Sequence, residues 1–134
     1  MEQNVRLIYL YRDAGNYKSW AEVIFANPDK LTLLEIEQRL RHVLFQTTFF
    51  VASQVQLREV FLYSPGDAKF DDICFHEFDS VESSSEEPTD TRTIKEFAEI
   101  VELEAEKGWR AFDPQLKGRH PQIRNSGGKN VLVT

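Results

Sequence analysis

The sequence is poor in the residues on which most simple chemical centres are built. Cys74 is the only cysteine, and there are three histidines in 134 residues. A single cysteine excludes an internal disulfide and any thiolate-rich metal cluster. No HExxH or CxxC spacing occurs. No apolar run is long enough to span a bilayer, and no basic stretch followed by an apolar core opens the chain. The expectation is a reducing cytoplasm, with no membrane partner, no metal and no cofactor.

Acidic residues are absent from the last 20 positions. All 22 lie in 1–114 against 12 basic residues, a net charge of −10, whereas 115–134 carries Lys117, Arg119, Arg124 and Lys129, a net charge of +4. A body of that sign repels phosphates, so nucleic acid is not the expected partner. An acidic body with a basic tail suggests docking of the tail on the body or on an acidic partner.

What is present is enough for a core. The hydrophobic share of 41% and the ten Phe fit one globular domain, since two would each fall near the lower size limit. The reading is one domain over 1–114 and a basic Gly/Pro-containing tail over 115–134.

Residues 5–12 carry apolar side chains on both faces of a strand. Turn residues 13–17 then lead into a second strand over 18–26, giving a hairpin. Thr32 and Glu35 fit a capping box, with Leu31 and Ile36 placed as a staple, so a helix is predicted over 33–46. His42 near its end suits the helix dipole. Strands are predicted at 47–53, 60–63 and 72–82, with a turn at 64–67. The alternation of 72–82 is imperfect, and a bulge near Glu77 would bring Phe78 and Val81 into line. After a polar loop over 83–90, Thr93 and Glu96 cap an acidic helix over 93–107, which Gly108 ends. The order ββαβββα predicts an α+β fold: an antiparallel sheet of about five strands with two helices packed on one face. Val131, Leu132 and Val133 are suited to pair with a free sheet edge in the same chain or a neighbour.

Three phrases resemble a group of small, functionally uncharacterised bacterial proteins. They are Tyr11-Arg12-Asp13-Ala14-Gly15-Asn16-Tyr17-Lys18, Phe49-Phe50-Val51-Ala52-Ser53 and His76-Glu77-Phe78-Asp79-Ser80-Val81-Glu82. The resemblance covers about residues 5–105. It implies a bacterial or phage origin and carries no activity.

Chemistry concentrates at 72–82. His76, Glu77 and Asp79 are the catalytic candidates, for acid–base work in a small hydrolase or a metal- or ligand-dependent enzyme. Cys74 shares a strand face with His76, whereas Glu77 and Asp79 point the other way. Tyr11, Arg12, Tyr17 and Trp20, around the first hairpin, are the candidates for binding a nucleotide or other small ligand. Segregated charge outweighs both patterns. The leading expectation is a non-enzymatic interaction or regulatory module, homodimeric through its sheet. Its partner surfaces would be the acidic helix 93–107 or the basic tail 115–134.

Overall fold

The computed structural model describes residues 3–64, 67–69 and 72–115. The tail 116–134, with its four basic residues and its Val131–Val133 end, lies outside the described residues. The alternation of 5–12 and 18–26 is realised as β1 (Asn4–Arg12) and β2 (Lys18–Phe25), paired antiparallel from Val5↔Phe25 to Arg12↔Lys18. Asn16, not Gly15, takes the left-handed position of the connecting turn, with φ 70°. Asp13 fixes that turn, its carbonyl accepting from the Asn16 amide and its carboxylate from the Tyr17 amide.

Both capping boxes form as the sequence predicts. Thr32 and Glu35 open α1 (Leu33–Val43), and Thr93 and Glu96 open α2 (Ile94–Lys107). Helix α1 stops three residues short of the expected 46. Leu44 is extended, and Gln46 and Thr47 adopt positive φ in a tight turn closed between Phe45 and Phe49. Of the carbonyls left over at the helix end, that of Val43 accepts from Trp109 Nε1, and Arg41 donates to the Thr47 carbonyl in the turn that follows.

Among the described residues the sheet has four antiparallel strands where about five were expected, in the order β2-β1-β4-β3, with β3 at Phe49–Phe50 and β4 at His76–Ser84. One expected strand, 60–63, is missing, and another, 47–53, is shortened. The run 47–53 keeps only β3, because Ala52–Val55 winds into a 3₁₀ turn. The 3₁₀ turn buries Ala52 and Val55, three residues apart, on one side. The run 60–63 joins no ladder. The Val60 amide donates instead to the His76 ring.

A bulge does lie in the last strand, two residues beyond the predicted Glu77. Tyr9 pairs with Phe78 and Ile8 with Ser80, so Asp79 is the extra residue. Phe78 and Val81 thereby share the face of Tyr9 and Leu7.

Both helices cover that face. Ile36 and Leu40 of α1 and Ile94, Phe97, Ala98 and Val101 of α2 pack on Val5, Leu7, Tyr9, Val23, Phe25 and Phe78. A void of about 10 Å³ remains between sheet and helices, lined by nine apolar side chains including Leu7, Leu40, Phe50 and Phe97. It is at the lower limit for one water and has nothing to bind it. Arg39 joins the helices through a bidentate pair with Glu102 at 2.9 and 2.7 Å. Arg92 closes the far corner, donating to Val55 and Gln56 carbonyls and to Asp90, and lying over the Phe97 ring. The hydrogen bond from Arg92 holds the Asp90 carboxyl below the usual range.

Deleting Asp79 leaves every other residue of β4 on its present face, so the cost is about 1–2 kcal/mol, mainly the bond from Arg41 to the Asp79 carbonyl. Deleting Ile8 from the unbulged pairing with β2 turns half of β1 inside out, and the chain fails to fold. Urea denaturation of the two deletion variants measures both; an unfolded Asp79 deletion contradicts the assignment.

Candidate functional site

The residues of 72–82 divide by strand parity before any chemistry is considered. His76 and Phe78 point toward the helices, and Glu77 points away, opposite Leu10. His76 is fully buried. The rings of Tyr9, Tyr11, Phe50 and Phe61 surround it, with centroids 4.8–6.2 Å away. Its Nε2 accepts the Val60 amide at 3.0 Å, which requires a lone pair on that nitrogen and places the proton of the neutral ring on Nδ1. The imidazole therefore anchors the segment that replaces the expected fourth strand.

Glu77 lies across the sheet from His76. Arg12 holds it with Nε at 2.8 Å and a second guanidinium nitrogen at 3.1 Å. The remaining terminal nitrogen of Arg12 donates to Asn16 Oδ1 at 2.6 Å. The hydrogen bond to Glu77 raises the Arg12 pKa further. This bidentate pair ties β1 to β4 on the outer face and fixes the hairpin tip. Asp79 is exposed at the bulge, and its carboxylate accepts from the Ser80 hydroxyl. The three catalytic candidates thus occupy the core, the outer face and the strand edge.

The hairpin candidates are also distributed over two environments. Tyr11 is buried, packed edge-on against Phe61 and Tyr63, and donates to the Ile73 carbonyl at 2.8 Å. Burial pushes its phenol up to about 12. Tyr9 is raised by burial as well, and donates to the Arg58 carbonyl. Tyr17 and Trp20 are exposed at 73% and 54%, beside the Arg12–Asn16 contact. Arg12, Tyr17 and Trp20 are brought to one end of the sheet, and Tyr11 is directed to the opposite side. Asp72 clamps this end, one carboxylate oxygen accepting from the Ala14 amide and the other from the Lys69 amide.

Cys74 is buried and in no disulfide, and its sulfur accepts the Phe112 amide at 3.5 Å. The chain after α2 is thereby laid along the same end of the sheet, with Pro114 buried and Phe112 edge-on to Phe61. Among the described residues, no group of three His, Cys, Asp or Glu side chains is placed to hold a metal ion, and no helix is long and apolar enough to cross a membrane.

The sequence pattern predicts association through the sheet but does not reveal the aromatic group on its outer face. Phe45 stacks on Phe75 with centroids 5.3 Å apart, and Phe49 lies 6.3 Å from Phe75. Phe45 is 45% exposed. Ile8 and Trp20 lie on the same face, away from the helices, where Leu10 and Ile24 are buried. The face is bordered by Arg6, which pairs with Glu22, Glu82 and Glu86. The signal was available in part: Ile8 and Leu10 mark the second face of β1, but the pairing of Phe45 with Phe75 spans 30 residues. No protein-family model, no curated protein and no solved structure matches the chain.

Two measurements follow from the buried ring cluster. The folded-state value of Tyr11 lies above the ordinary 10.0 of the phenol, so the folded chain holds that proton more tightly than the unfolded chain does. The stability this carries is complete below pH 10 and is lost as pH rises through about 12. Spectrophotometric titration should show Tyr11→Phe removing a phenolate step near 12; removal of a step near 10 instead would contradict the burial. His76→Ala empties a core position and strands the Val60 amide. It should lower stability by about 3–5 kcal/mol in urea denaturation.

Proposed function

We propose that this chain is a non-enzymatic interaction or regulatory module that works through protein–protein contacts and is homodimeric through its sheet. The supporting observation is the outer sheet face. Both helices pack on the other side, and here Trp20, Phe45, Ile8, Phe49 and Phe75 present apolar area among ion-paired arginines and glutamates. Aromatic residues with arginine on a rigid surface are the composition of a contact patch. The rigidity is built in, because each arginine of the face is already held by a carboxylate and loses little freedom on binding.

The acidic helix contributes less free charge than its composition suggests. Glu96 caps the helix, Glu102 pairs with Arg39, and Glu104 pairs with Lys107 and Arg110. The outer face is accordingly the preferred partner surface. Light scattering of the full chain should give twice its 15.6 kDa mass in the micromolar range. Phe45→Asp should leave the circular dichroism spectrum unchanged and abolish capture of a protein that the native chain retains. A strict monomer whose capture pattern is unaltered by Phe45→Asp would overturn the reading.

A further inference from the structure

The free edge of β2 is closed over half its length and open over the other half. Strand β2 lies at one side of the sheet. At its C-terminal half, Thr89 closes the edge: its hydroxyl accepts from the Ile24 amide, and its own amide donates to the Ile24 carbonyl. Ala26 then bridges to Thr93. Amide and carbonyl of one strand residue point to the same side, and the side alternates along the strand. Because Ile24 points outward and the register with β1 is unbroken, Glu22, Trp20 and Lys18 point outward as well. No described element pairs with these three.

Resting on the homodimer reading, we propose that this open half-edge is the dimer contact, formed with a second copy of the chain by antiparallel β2–β2 pairing centred on Trp20. The side-chain pattern selects this occupant. Ala21, Val23 and Phe25 face the core, so Lys18, Trp20 and Glu22 share the outer face. In an antiparallel pair centred on Trp20, Lys18 of each copy stands opposite Glu22 of the other, and the two Trp20 rings meet at the twofold axis. Three hydrogen-bonded residue pairs form, each exchanging two bonds. The charges are self-complementary in this register alone: parallel alignment sets like charges side by side, and a slip of two residues breaks both ion pairs. Thr89 bars the strand beyond Glu22, which limits the overlap to this segment. The result is a continuous eight-stranded sheet with isologous symmetry.

Charge reversal tests the register. Lys18→Glu brings two acidic side chains together at each end of the contact, and Glu22→Lys brings two basic ones. Sedimentation equilibrium should show each variant alone dimerising roughly tenfold more weakly than the native chain. An equimolar mixture of the two variants regains native-like association as a heterodimer, because every facing pair is then of opposite sign. Glu22→Lys also removes a contact of Arg6, so circular dichroism verifies its fold; recovery in the mixture is independent of that loss. Hydrogen exchange should show the Lys18, Trp20 and Glu22 amides slowing as concentration rises through the dimerisation range. A native dimer that neither variant weakens, with fast exchange at Trp20, overturns this contact while leaving the homodimer reading intact. A native chain that remains monomeric overturns both.

Discussion

The extra residue at Asp79 is the constraint on which both faces of the sheet depend. Phe78 and Val81 are three apart, so a regular strand would point them to opposite sides. With Asp79 inserted, Phe78 stands opposite Tyr9 and Val81 opposite Leu7, and both join the core beneath the helices. The same insertion sets Ser80 against Ile8 and Glu82 against Arg6 on the outer face, while Glu77 keeps its place beside Leu10 and reaches Arg12. One residue therefore aligns the apolar packing on one side and the ion pairs on the other. Strand β1, the most enclosed element, receives suitable partners along its whole length only because β4 is irregular.

Arginine carries much of the remaining cross-linking. Arg12 fixes the hairpin to β4, Arg39 fixes α1 to α2, Arg41 reaches the bulge carbonyl, and Arg92 gathers the loop before α2 onto the 3₁₀ turn. The fork geometry of the guanidinium suits this work, since it donates to several acceptors at fixed angles. The Arg12 and Arg39 pairs are part-buried and bidentate, a geometry that fixes the direction of the elements they join. A consequence is that charge in the sequence overstates charge available to partners. A run of glutamates read as one acidic face becomes a cap, an interhelical link and a link to the segment after α2.

Features set by local chemistry were readable in the sequence. Thr32–Glu35 and Thr93–Glu96 each place a hydroxyl and a carboxylate three residues apart before an apolar period, and both helices start there. The first hairpin and the bulge were visible for the same reason, because they disturb or obey a period of two. What was hidden depends on contacts distant in sequence. Residues 60–63 look like a strand but are drawn off by His76, 16 residues away. The clustering of His76, Glu77 and Asp79 was legible; their separation was only partly so, because parity divides 76 from 77 but does not reveal that Arg12 closes on Glu77. The aromatic group of Phe45, Phe49 and Phe75 requires the turn at Gln46–Thr47, where two non-glycine residues take positive φ.

Two open features, the β2 edge and the Phe45–Phe75 group, lie at opposite ends of the strand order β2-β1-β4-β3. Three inter-strand spacings separate them, about 14 Å. Pairing through β2 consumes backbone groups directed sideways in the plane of the sheet, whereas an aromatic patch is used from above it. The two modes therefore share only the Trp20 side chain, and a dimer formed at β2 would present two copies of the Phe45–Phe75 group on one extended face. Bivalent presentation of that kind raises the effective concentration of the second contact for any partner that is itself repeated. The Arg6 and Arg12 ion pairs lie between the two features and hold the intervening face in register, so the contact at one edge is made without distorting the other.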